Sequence, residues 1–275
     1  MKLIADYHTH TRYSHGTGTV EENVVAAVAN GLHIVGISDH GPANLFGLGV
    51  RRVTDFIQIK ADVFVAQRRH PNIRVLVGAE ANVISTAGDI DLPPEIIEHL
   101  DYLLVGLHPL VKPARLRDAL CLGVSNWVGK LVKRWDLHNR QQNTAALINA
   151  VERYPVLAVT HPGYRLNIDT QALATVCARR GTALEINCSH GHITPEYITI
   201  AKRAGARFVI NSDAHHPKRV GRLESGLLLA LETGLQTEDI LNAVDTETFV
   251  DQAPREGILR QIAEVRRQKR RQRLL

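Results

Sequence analysis

The sequence predicts an α/β fold, a TIM-like barrel in which one chain of 275 residues forms a single domain. Short apolar runs rich in β-branched residues alternate with longer helical patterns throughout the chain, which is typical of a parallel sheet with crossover helices. Residues that bind metal follow successive strands, and the active sites of barrels lie at that end of the strands. An open doubly wound sheet would concentrate its ligands at one switch point, so these observations favour a closed barrel.

Seven segments have the length and composition of buried strands. They are residues 3–7, 34–38, 73–79, 102–107, 156–160, 183–187 and 207–211. Hydrophobic residues make up 44% of the chain but aromatic residues only 5%. The core is therefore expected to be aliphatic, as in parallel sheets rich in Val, Ile and Leu.

Helical patterns occupy the intervals between these strands. The predicted helices are residues 20–30, 53–69, 138–153, 170–180 and 195–204. Gly31, Gly181 and Gly205 each close a helix shortly before a strand, as glycines at helix ends do. Two stretches, 81–94 and 109–136, interrupt the alternation. We expect them to stand over the rim and to shape the substrate pocket.

Composition excludes several classes of protein. The first six residues become polar too early for a secretory signal, and no apolar stretch approaches the roughly 18 residues of a membrane span. Cys121, Cys177 and Cys188 are odd in number and widely spaced, which argues against a disulfide framework or a zinc ribbon. We therefore expect a cytoplasmic protein that does not contact a membrane.

The formal net charge of +5 comes from the C-terminal end of the chain. Six cations lie there: Arg266, Arg267, Lys269, Arg270, Arg271 and Arg273. Without these six charges the remainder sums to −1. They belong to a predicted basic C-terminal helix at about 255–275. A basic segment can bind nucleic acid, but it is more often a solvated helix end, so nucleic acid is an alternative partner and not the favoured one.

Nine residues that can bind divalent transition metals stand at the ends of predicted strands. They are His8, His10, His15, His40, Glu80, His108, His161, Asp213 and His215. One ion takes about four to six ligands, so nine residues imply more than one ion. Each residue alone has a structural interpretation, such as a helix cap for Asp213. Together they would crowd the rim with imidazoles and carboxylates that lack hydrogen-bond partners, and bound cations remove that cost.

The spacing of these residues supports shared sites. His8 and His10 are two positions apart on one strand, so both side chains leave the same face and can converge on one ion. Asp213 and His215 repeat this spacing after the seventh strand. Glu80 has two carboxylate oxygens and can bridge two ions. Asp39 is predicted to orient a histidine rather than to bind metal.

The remaining polar residues near the strand ends are candidates for substrate contacts. Four cations could hold a phosphate group: Arg12, Arg51, Arg165 and Lys218. His190 and His192 follow the sixth strand, and the pattern leaves them open between a structural role and contact with substrate. The other histidines are expected to be structural or exposed: His33, His70, His99, His138 and His216.

Seven motifs occur in a fixed order along the chain: DYHTHTRYSHG, ISDHG, GAEANV, GLHP, THPG, ALEINCS and NSDAHHP. This series resembles the PHP (polymerase and histidinol phosphatase) superfamily from Leu3 to about Val250, and most closely its stand-alone bacterial phosphatases. The resemblance implies a distorted (β/α)7 barrel that holds up to three divalent ions at the C-terminal rim of its strands.

The resemblance also implies how the nine ligands are shared. One ion would be bound by His8, His10, Glu80 and Asp213. A second would be bound by His15, His40 and His215. A third would be bound by Glu80, His108 and His161, which makes Glu80 the bridge. Many relatives have Asp where this chain has His15, so the charge at the second site differs from theirs.

Together these features predict a metal-dependent phosphoesterase with two or three ions of zinc, manganese or iron. Several dications around one cavity can lower the pKa of a bound water to about 7 and neutralise charge on phosphoryl oxygens. The residues expected to act through this water are His8, His10, Glu80, Asp213 and His215. The expected substrate is a small phosphomonoester, histidinol phosphate among the options, contacted by Arg12, Arg165, Lys218 and His192.

Three alternatives remain at this point. Phosphodiester cleavage, such as exonuclease activity, is suggested by the polymerase-linked relatives. Amidohydrolase barrels also begin with His-x-His and end with Asp, but they typically bridge their metals with a modified Lys after the fourth strand, where this chain has His108. A metal-stabilised regulatory barrel without activity is disfavoured by the complete ligand set. The P-loop pattern is absent, which argues against nucleotide-driven chemistry.

Overall fold

The computed structural model describes residues 1–129 and 133–246, which form an α/β fold with parallel sheets. The strands are β1 (Lys2–Leu3), β2 (Ala5–Asp6), β3 (Ile34–Ile37), β4 (Arg74–Val77), β5 (Glu80–Asn82), β6 (Leu104–Gly106), β7 (Ala158–Val159), β8 (Ala183–Asn187), β9 (Phe208–Asn211) and β10 (Ala243–Val244). The α/β class predicted from the alternating pattern is confirmed.

The parallel strands fall into two sheets. One has the order β2-β3-β4 and the other the order β5-β6-β7-β8-β9, while β1 and β10 form an antiparallel pair. Isolated bridges continue the parallel pairing between the sheets, joining His40 to Glu80 and Thr9 to Ala214. Both bridges lie at the carboxyl ends of the strands, so they bring the predicted metal ligands of the two sheets together.

The predicted strands are found in place, with two differences. The first predicted strand is divided into β1 and β2, because Lys2 and Leu3 pair with β10 instead of β3. The third predicted strand ends as β4 at Val77, and the chain then joins the other sheet as β5. Gly78 lies at this break, where a Cβ atom would come within 2.1 Å of the Tyr102 ring. The continuous apolar run of 73–79 did not reveal the change of sheet.

Helices connect the strands. They are α1 (Val20–Ala29), α2 (Asp55–Arg69), α3 (Pro94–Ile97), α4 (Leu116–Asp118), α5 (Ser125–Gly129), α6 (Lys133–Arg153), α7 (Thr170–Arg180), α8 (Pro195–Arg203) and α9 (Glu224–Glu232). The five predicted helices correspond to α1, α2, α6, α7 and α8. The described part of α6 starts at Lys133, five residues before the predicted start. Thr19 and Glu22 form a capping box at the start of α1, and Gly181 ends α7 with a φ of 69°.

The core is mainly aliphatic, as predicted. Large clusters of Val, Ile, Leu and Ala fill the space between the strands and the surrounding helices. Two tyrosines are an exception at the centre of the inner cluster. The rings of Tyr7 and Tyr102 meet edge to face at 5.6 Å, and the Tyr102 hydroxyl donates a hydrogen bond of 2.7 Å to the Tyr7 carbonyl. This bond satisfies a polar group that would otherwise be buried alone.

The two predicted interruptions have different structures. Residues 81–94 contain the end of β5 and a bridge between Val83 and Ile90. Residues 109–136 contain α4, a π-helix over Ala119–Val124, and α5. The predicted basic C-terminal helix at about 255–275 lies outside the described residues. Among the helices that the structure describes, none has the length and apolarity needed to cross a membrane.

Candidate metal centre

The nine predicted ligands come together at the carboxyl ends of the strands. His10 occupies the middle of the histidine group, because its ring centroid is 4.4 Å from that of His40 and 4.2 Å from that of His215. His15 joins the same group at 4.1 Å from His215. His108 and His161 form a neighbouring pair with centroids 4.9 Å apart, and His40 lies 5.1 Å from His108. The imidazoles therefore form one continuous cluster.

Glu80 is buried between the two parts of this cluster. Its Oε1 atom accepts a hydrogen bond of 2.6 Å from the Thr160 hydroxyl and lies 2.9 Å from His161 Nε2 and 3.3 Å from His108 Nε2. Its Oε2 atom faces a different set of atoms: His40 Nδ1 at 2.8 Å, His8 Nε2 at 3.2 Å and His10 Nε2 at 3.7 Å. Two oxygens that face two histidine sets are the arrangement a bridging carboxylate needs.

Asp213 approaches the same histidines from the end of β9. Its Oδ1 atom lies 3.3 Å from His10 Nε2 and 3.5 Å from His8 Nε2. Its Oδ2 atom accepts from Asn187 Nδ2 at 3.1 Å and lies 3.1 Å from His190 Nε2. Asp213 has a φ of 51° and His161 a φ of 28°. Non-glycine residues adopt such backbone conformations at a cost, and they occur often at functional sites.

Among the described residues, three sets of three have ligand atoms within 4.8 Å of one another. They are His8, His10 and Asp213; His10, His40 and His215; and His40, Glu80 and His108. The first set is contained in the predicted first site. The other two differ from the predicted sharing, because His10 stands in the place of His15 and His40 in the place of His161. The described sets overlap at His10 and His40, so the cluster is not divided into isolated sites.

Six buried atoms of the cluster lack a hydrogen-bond partner among the described residues. They are His8 Nε2, His10 Nδ1, His10 Nε2, His40 Nδ1, Glu80 Oε2 and His215 Nε2. The short contact between His40 and Glu80 lacks the alignment of a hydrogen bond. A buried polar atom without a partner costs about 1–3 kcal/mol. Imidazole nitrogens and carboxylate oxygens are ligands of divalent transition metals, so the residues present fit a group of such ions.

Electrostatics favour the metal-binding protonation states of His10, His40 and Glu80. At His8 and His161, burial would lower the pKa, but nearby carboxylates raise it above its usual value. Burial, together with the nearby His215 and His40 rings, holds the pKa of His10 well below its usual value. Burial also lowers the pKa of His40 to about 4. Burial alone would raise the pKa of Glu80, but the imidazoles of His40, His8 and His108 hold it well below its usual range. His10 and His40 are therefore neutral, and Glu80 is ionised, at neutral pH.

Several histidine rings are oriented by a hydrogen bond on the side away from the cluster. His15 Nδ1 donates to the Leu48 carbonyl at 2.7 Å, and His215 Nδ1 donates to the Asp213 carbonyl at 3.1 Å. Because a carbonyl can only accept, Nδ1 of each ring carries a proton, so Nε2 is the ring nitrogen left to bind metal.

Two of the orienting partners were missed by the analysis of the sequence. His108 Nδ1 is 2.7 Å from Asn82 Oδ1, and His8 Nδ1 is 2.7 Å from Glu185 Oε1. Both partners lie within motifs that were recognised, GAEANV and ALEINCS. The available signal was position: each is a polar residue inside a buried strand, on the face shared by a residue two positions away.

The prediction that Asp39 orients a histidine is wrong. Its carboxylate accepts from the Thr11 amide and hydroxyl, both at 2.7 Å, and from the Ser14 hydroxyl at 2.6 Å and amide at 3.3 Å. These bonds fasten the turn that follows β2. Asp39 therefore positions the backbone segment that carries His15, and not an imidazole ring.

A cleft of about 160 Å³ opens onto the cluster. Besides cluster residues, it is lined by Asn44, Leu48, Leu107, Pro109, Leu110, Tyr164, Arg165 and His190. The Tyr164 ring stacks on His190 at 3.8 Å, and the Arg165 guanidinium carbon lies 4.9 Å from the Tyr164 centroid. Tyr164 was not singled out by the analysis of the sequence, although it directly follows the THPG motif.

The other predicted substrate contacts stand further away. His192 lies beside Tyr164, with ring centroids 5.2 Å apart, but is outside the described lining of the cleft. Arg12, Arg51 and Lys218 are exposed and are likewise outside this lining. Pro109 and Leu110 belong to the predicted interruption at 109–136 and do line the cleft. Segment 109–136 therefore contributes to the pocket, as expected.

Comparison with known proteins agrees with this site. The PHP domain family matches residues 6–212, so the chain belongs to the PHP domain family. It is 28% identical to a probable phosphatase from Acetivibrio thermocellus, over 88% of this chain and 92% of that protein. It is 31% identical to a probable phosphatase from Shewanella sediminis, over 88% of this chain and 90% of that protein. The predicted resemblance to stand-alone phosphatases is confirmed.

A solved structure shares the fold. It is the histidinol phosphate phosphatase from Lactococcus lactis, in complex with zinc, L-histidinol and phosphate. The TM-score is 0.59 at 15% identity, over 85% of this chain and 95% of that one. Family, relatives and the donor cluster make this chain a metal-dependent phosphatase.

Proposed function

We propose that the chain hydrolyses a small phosphomonoester with two or three divalent ions, of zinc, manganese or iron, bound in the nine-residue cluster. The observation that carries this proposal is the set of six unpartnered buried atoms in the cluster, of which three nitrogens lie within 3.7 Å of Glu80 Oε2. Divalent ions would satisfy these atoms, and Glu80 would offer one carboxylate oxygen to each side of the cluster. The proposed ligands are His8, His10, His15, His40, Glu80, His108, His161, Asp213 and His215.

Ions bound in this cluster would lower the pKa of a coordinated water and neutralise charge on the phosphoryl oxygens. The chain's own residues prepare the site for both effects. Glu80 stays ionised because the surrounding imidazoles lower its pKa, and the Thr160 hydroxyl fixes the orientation of its carboxylate. His10 and His40 stay neutral because they are buried. We assign the main catalytic contribution to His8, His10, Glu80, Asp213 and His215.

Substrate binding would rely on the cleft above the cluster. Arg165 lines it, and a guanidinium can donate two parallel hydrogen bonds to a phosphate. Tyr164 and His190 form a flat aromatic surface next to it. His192, Arg12 and Lys218 lie outside the described lining, so we assign them contacts with the part of a substrate that extends beyond the cleft.

The size of the cleft supports a small substrate. A volume of about 160 Å³ is below the roughly 300–1,000 Å³ of clefts that enclose drug-sized ligands. It suits a phosphate group with a short organic part, and histidinol phosphate is one candidate. The ligands named for the Lactococcus lactis phosphatase support this choice.

We also propose that the two parallel sheets form one closed, distorted (β/α)7 barrel. The pairing of His40 with Glu80 and of Thr9 with Ala214 supports closure, because these bridges link both sheets at the carboxyl ends of the strands. The ligands would then lie around a single rim.

The test is a substrate panel with metal-loaded protein. It would contain histidinol phosphate and other small phosphomonoesters, a phosphodiester, a single-stranded oligonucleotide and a cyclic amide. Glu80→Gln protein purified in parallel controls for contaminating phosphatases. We expect phosphomonoesters to be cleaved fastest, by the unsubstituted protein only. Preferred cleavage of the oligonucleotide or of the amide would instead support the nuclease or the amidohydrolase alternative.

A further inference from the structure

Glu185 is a buried carboxylate in the middle of β8 that touches two different parts of the cluster. Its Oε1 atom lies 2.7 Å from His8 Nδ1 and accepts from Asn211 Nδ2 at 2.9 Å. Its Oε2 atom accepts from the His161 amide at 2.8 Å and from Asn187 Nδ2 at 2.9 Å. One side chain thus joins the ring of His8 to the backbone of His161.

The direction of these hydrogen bonds is determined by the backbone. Asn211 Oδ1 accepts from the Tyr7 amide, so Asn211 must present its NH₂ group to Glu185. Asn187 Oδ1 accepts from the Ser189 and His190 amides, so Asn187 also donates to Glu185. The His161 amide is a donor in every state. Glu185 is therefore surrounded by donors and acts through both oxygens as an acceptor.

This arrangement determines which nitrogen of His8 can bind a metal. With Glu185 as an acceptor, the His8 proton is held on Nδ1. The opposite nitrogen, Nε2, is buried without a hydrogen-bond partner and lies 3.2 Å from Glu80 Oε2. With Nδ1 committed to Glu185, Nε2 is the ring nitrogen left for an ion in the cluster.

The second carboxylate oxygen of Glu185, Oε2, supports the backbone of His161. The His161 backbone has a φ of 28°, which is unfavourable for a residue with a Cβ atom. The hydrogen bond from its amide to Glu185 helps to hold this conformation. In this conformation, His161 Nε2 lies 2.9 Å from Glu80 Oε1.

We propose that Glu185 is a positioning residue for the metal cluster: it selects the metal-binding tautomer of His8 and holds the backbone of His161. The two residues face opposite oxygens of Glu80, so Glu185 supports metal binding on both sides of the bridge. This inference rests on the proposed metal-dependent function.

Glu185→Gln is the most informative variant, because it keeps the shape of the side chain and replaces one acceptor oxygen with an NH₂ donor. If the new NH₂ group takes the place of Oε1, it faces His8 Nδ1. That nitrogen must then accept, which moves the His8 proton to Nε2, the atom that faces the cluster. If the NH₂ group takes the place of Oε2, it faces the His161 amide, which is also a donor. Either orientation disturbs one of the two ligands.

The experiment measures zinc affinity by competition with a coloured chelator, for unsubstituted protein, Glu185→Gln and Asn242→Ala. Asn242 is also buried and makes three hydrogen bonds, but to the backbone of Ala5 and Ile210 and not to the cluster. We expect Glu185→Gln to weaken zinc binding about 10–100-fold, the usual range for partners of metal ligands. Asn242→Ala should bind zinc like the unsubstituted protein.

Unchanged zinc affinity in Glu185→Gln, or an equal loss in Asn242→Ala, would overturn the inference. If Glu185→Gln does not fold, ¹⁵N NMR of zinc-loaded unsubstituted protein decides instead. A proton on His8 Nδ1 supports the inference, and a proton on His8 Nε2 overturns it. Failure of the proposed function looks different, because the unsubstituted protein itself would then bind no zinc or cleave no phosphomonoester, whatever the zinc affinity of Glu185→Gln.

Discussion

Two groups of buried polar side chains lie at neighbouring places in this fold, and they differ in how their atoms are satisfied. The first is the metal cluster around Glu80, with six buried atoms that lack a partner among the described residues. The second, around Asp6 and Asn242, lies at the strands β2 and β9. The comparison separates buried polar residues that stabilise the fold from buried polar residues that are suited to bind a ligand.

The second group is saturated with hydrogen bonds. Asp6 accepts from the Ser212 hydroxyl at 2.5 Å and from the amides of Gly221, Ser212 and His8 at 2.9, 3.2 and 3.3 Å. Asn242 accepts from the Ile210 amide and donates to the carbonyls of Ala5 and Ile210. All of these bonds except the one from the His8 amide tie one segment of the chain to a distant one. Burial of these groups therefore contributes to the fold without a bound ion.

The first group cannot be explained in this way. Its orphan atom Glu80 Oε2 lies within 3.7 Å of orphan nitrogens of His8, His10 and His40. The opposite nitrogens of His8 and His215 are hydrogen-bonded to Glu185 and to the Asp213 carbonyl. The outward bonds orient the rings, and the inward atoms are left for cations. This difference predicts that bound metal stabilises the cluster around Glu80 and has no effect on the group around Asp6 and Asn242.

Removal of metal should have the largest effect. Chelation should abolish hydrolysis, and it should lower the melting temperature by roughly 10 °C. An ion at about 1,000 times its Kd stabilises a fold by about 4 kcal/mol, and each kcal/mol shifts Tm by about 2–4 °C in a domain of this size. Differential scanning calorimetry before and after chelation, with zinc added back, checks this. An unchanged melting temperature would place the metal outside the folded core.

Glu80→Gln should lower kcat/KM by more than about 100-fold, beyond the usual range for an outer partner of a metal ligand. It removes the charge that faces both histidine sets. Asp39→Asn should lower kcat/KM less, because Asp39 fastens the turn before His15 through Thr11 and Ser14. Steady-state kinetics of both variants on one phosphomonoester decides. Equal losses would mean that the bridging role of Glu80 is misassigned.

Asn242→Ala should cost about 3 kcal/mol of unfolding free energy while the metal content stays unchanged. The variant leaves three buried backbone groups without their partner, at about 1–3 kcal/mol for each group that stays unpaired. Urea unfolding and elemental analysis of the same samples measure both quantities. A loss of metal at unchanged stability would contradict the separation of the two groups.

Arg165→Gln should have the smallest effect of these changes, raising KM about 10-fold with metal content unchanged. A charged hydrogen bond contributes about 1.5–3 kcal/mol, of which an exposed residue retains the lower part. Arg51→Gln is the matched control, because Arg51 is exposed and outside the described lining of the cleft. Should both variants behave alike, Arg165 would have no special role in phosphate binding.

Much of the fold and most of the candidate metal site could be predicted from the sequence. The strand ends and the nine candidate ligands are local features, because alternation along a strand and the HxH spacing depend on neighbouring residues only. The roles of Glu185 and Asp6 could not be found in this way. Glu185 meets His8 across 177 positions of sequence, and Asp6 meets Ser212 across 206. Such pairs are created by the order of the strands in the sheets.

The change of sheet between β4 and β5 was missed for a similar reason. An apolar run such as 73–79 has the same pattern whether it stays in one sheet or crosses to another. The deciding contact, the close approach of the Tyr102 ring to Gly78, again involves a distant residue. The role of Asp39 was misjudged because its sequence neighbour is His40, whereas its partners in space are Thr11 and Ser14.

The most direct test of the central claim is the metal content of the purified protein. Elemental analysis after reconstitution with zinc, manganese or iron should find two or three ions per chain, and fewer in Glu80→Gln. Asn242→Ala should match the unsubstituted protein. Less than one ion per chain after reconstitution would contradict the account, because the buried imidazole and carboxylate atoms that face one another would then lack their proposed partners.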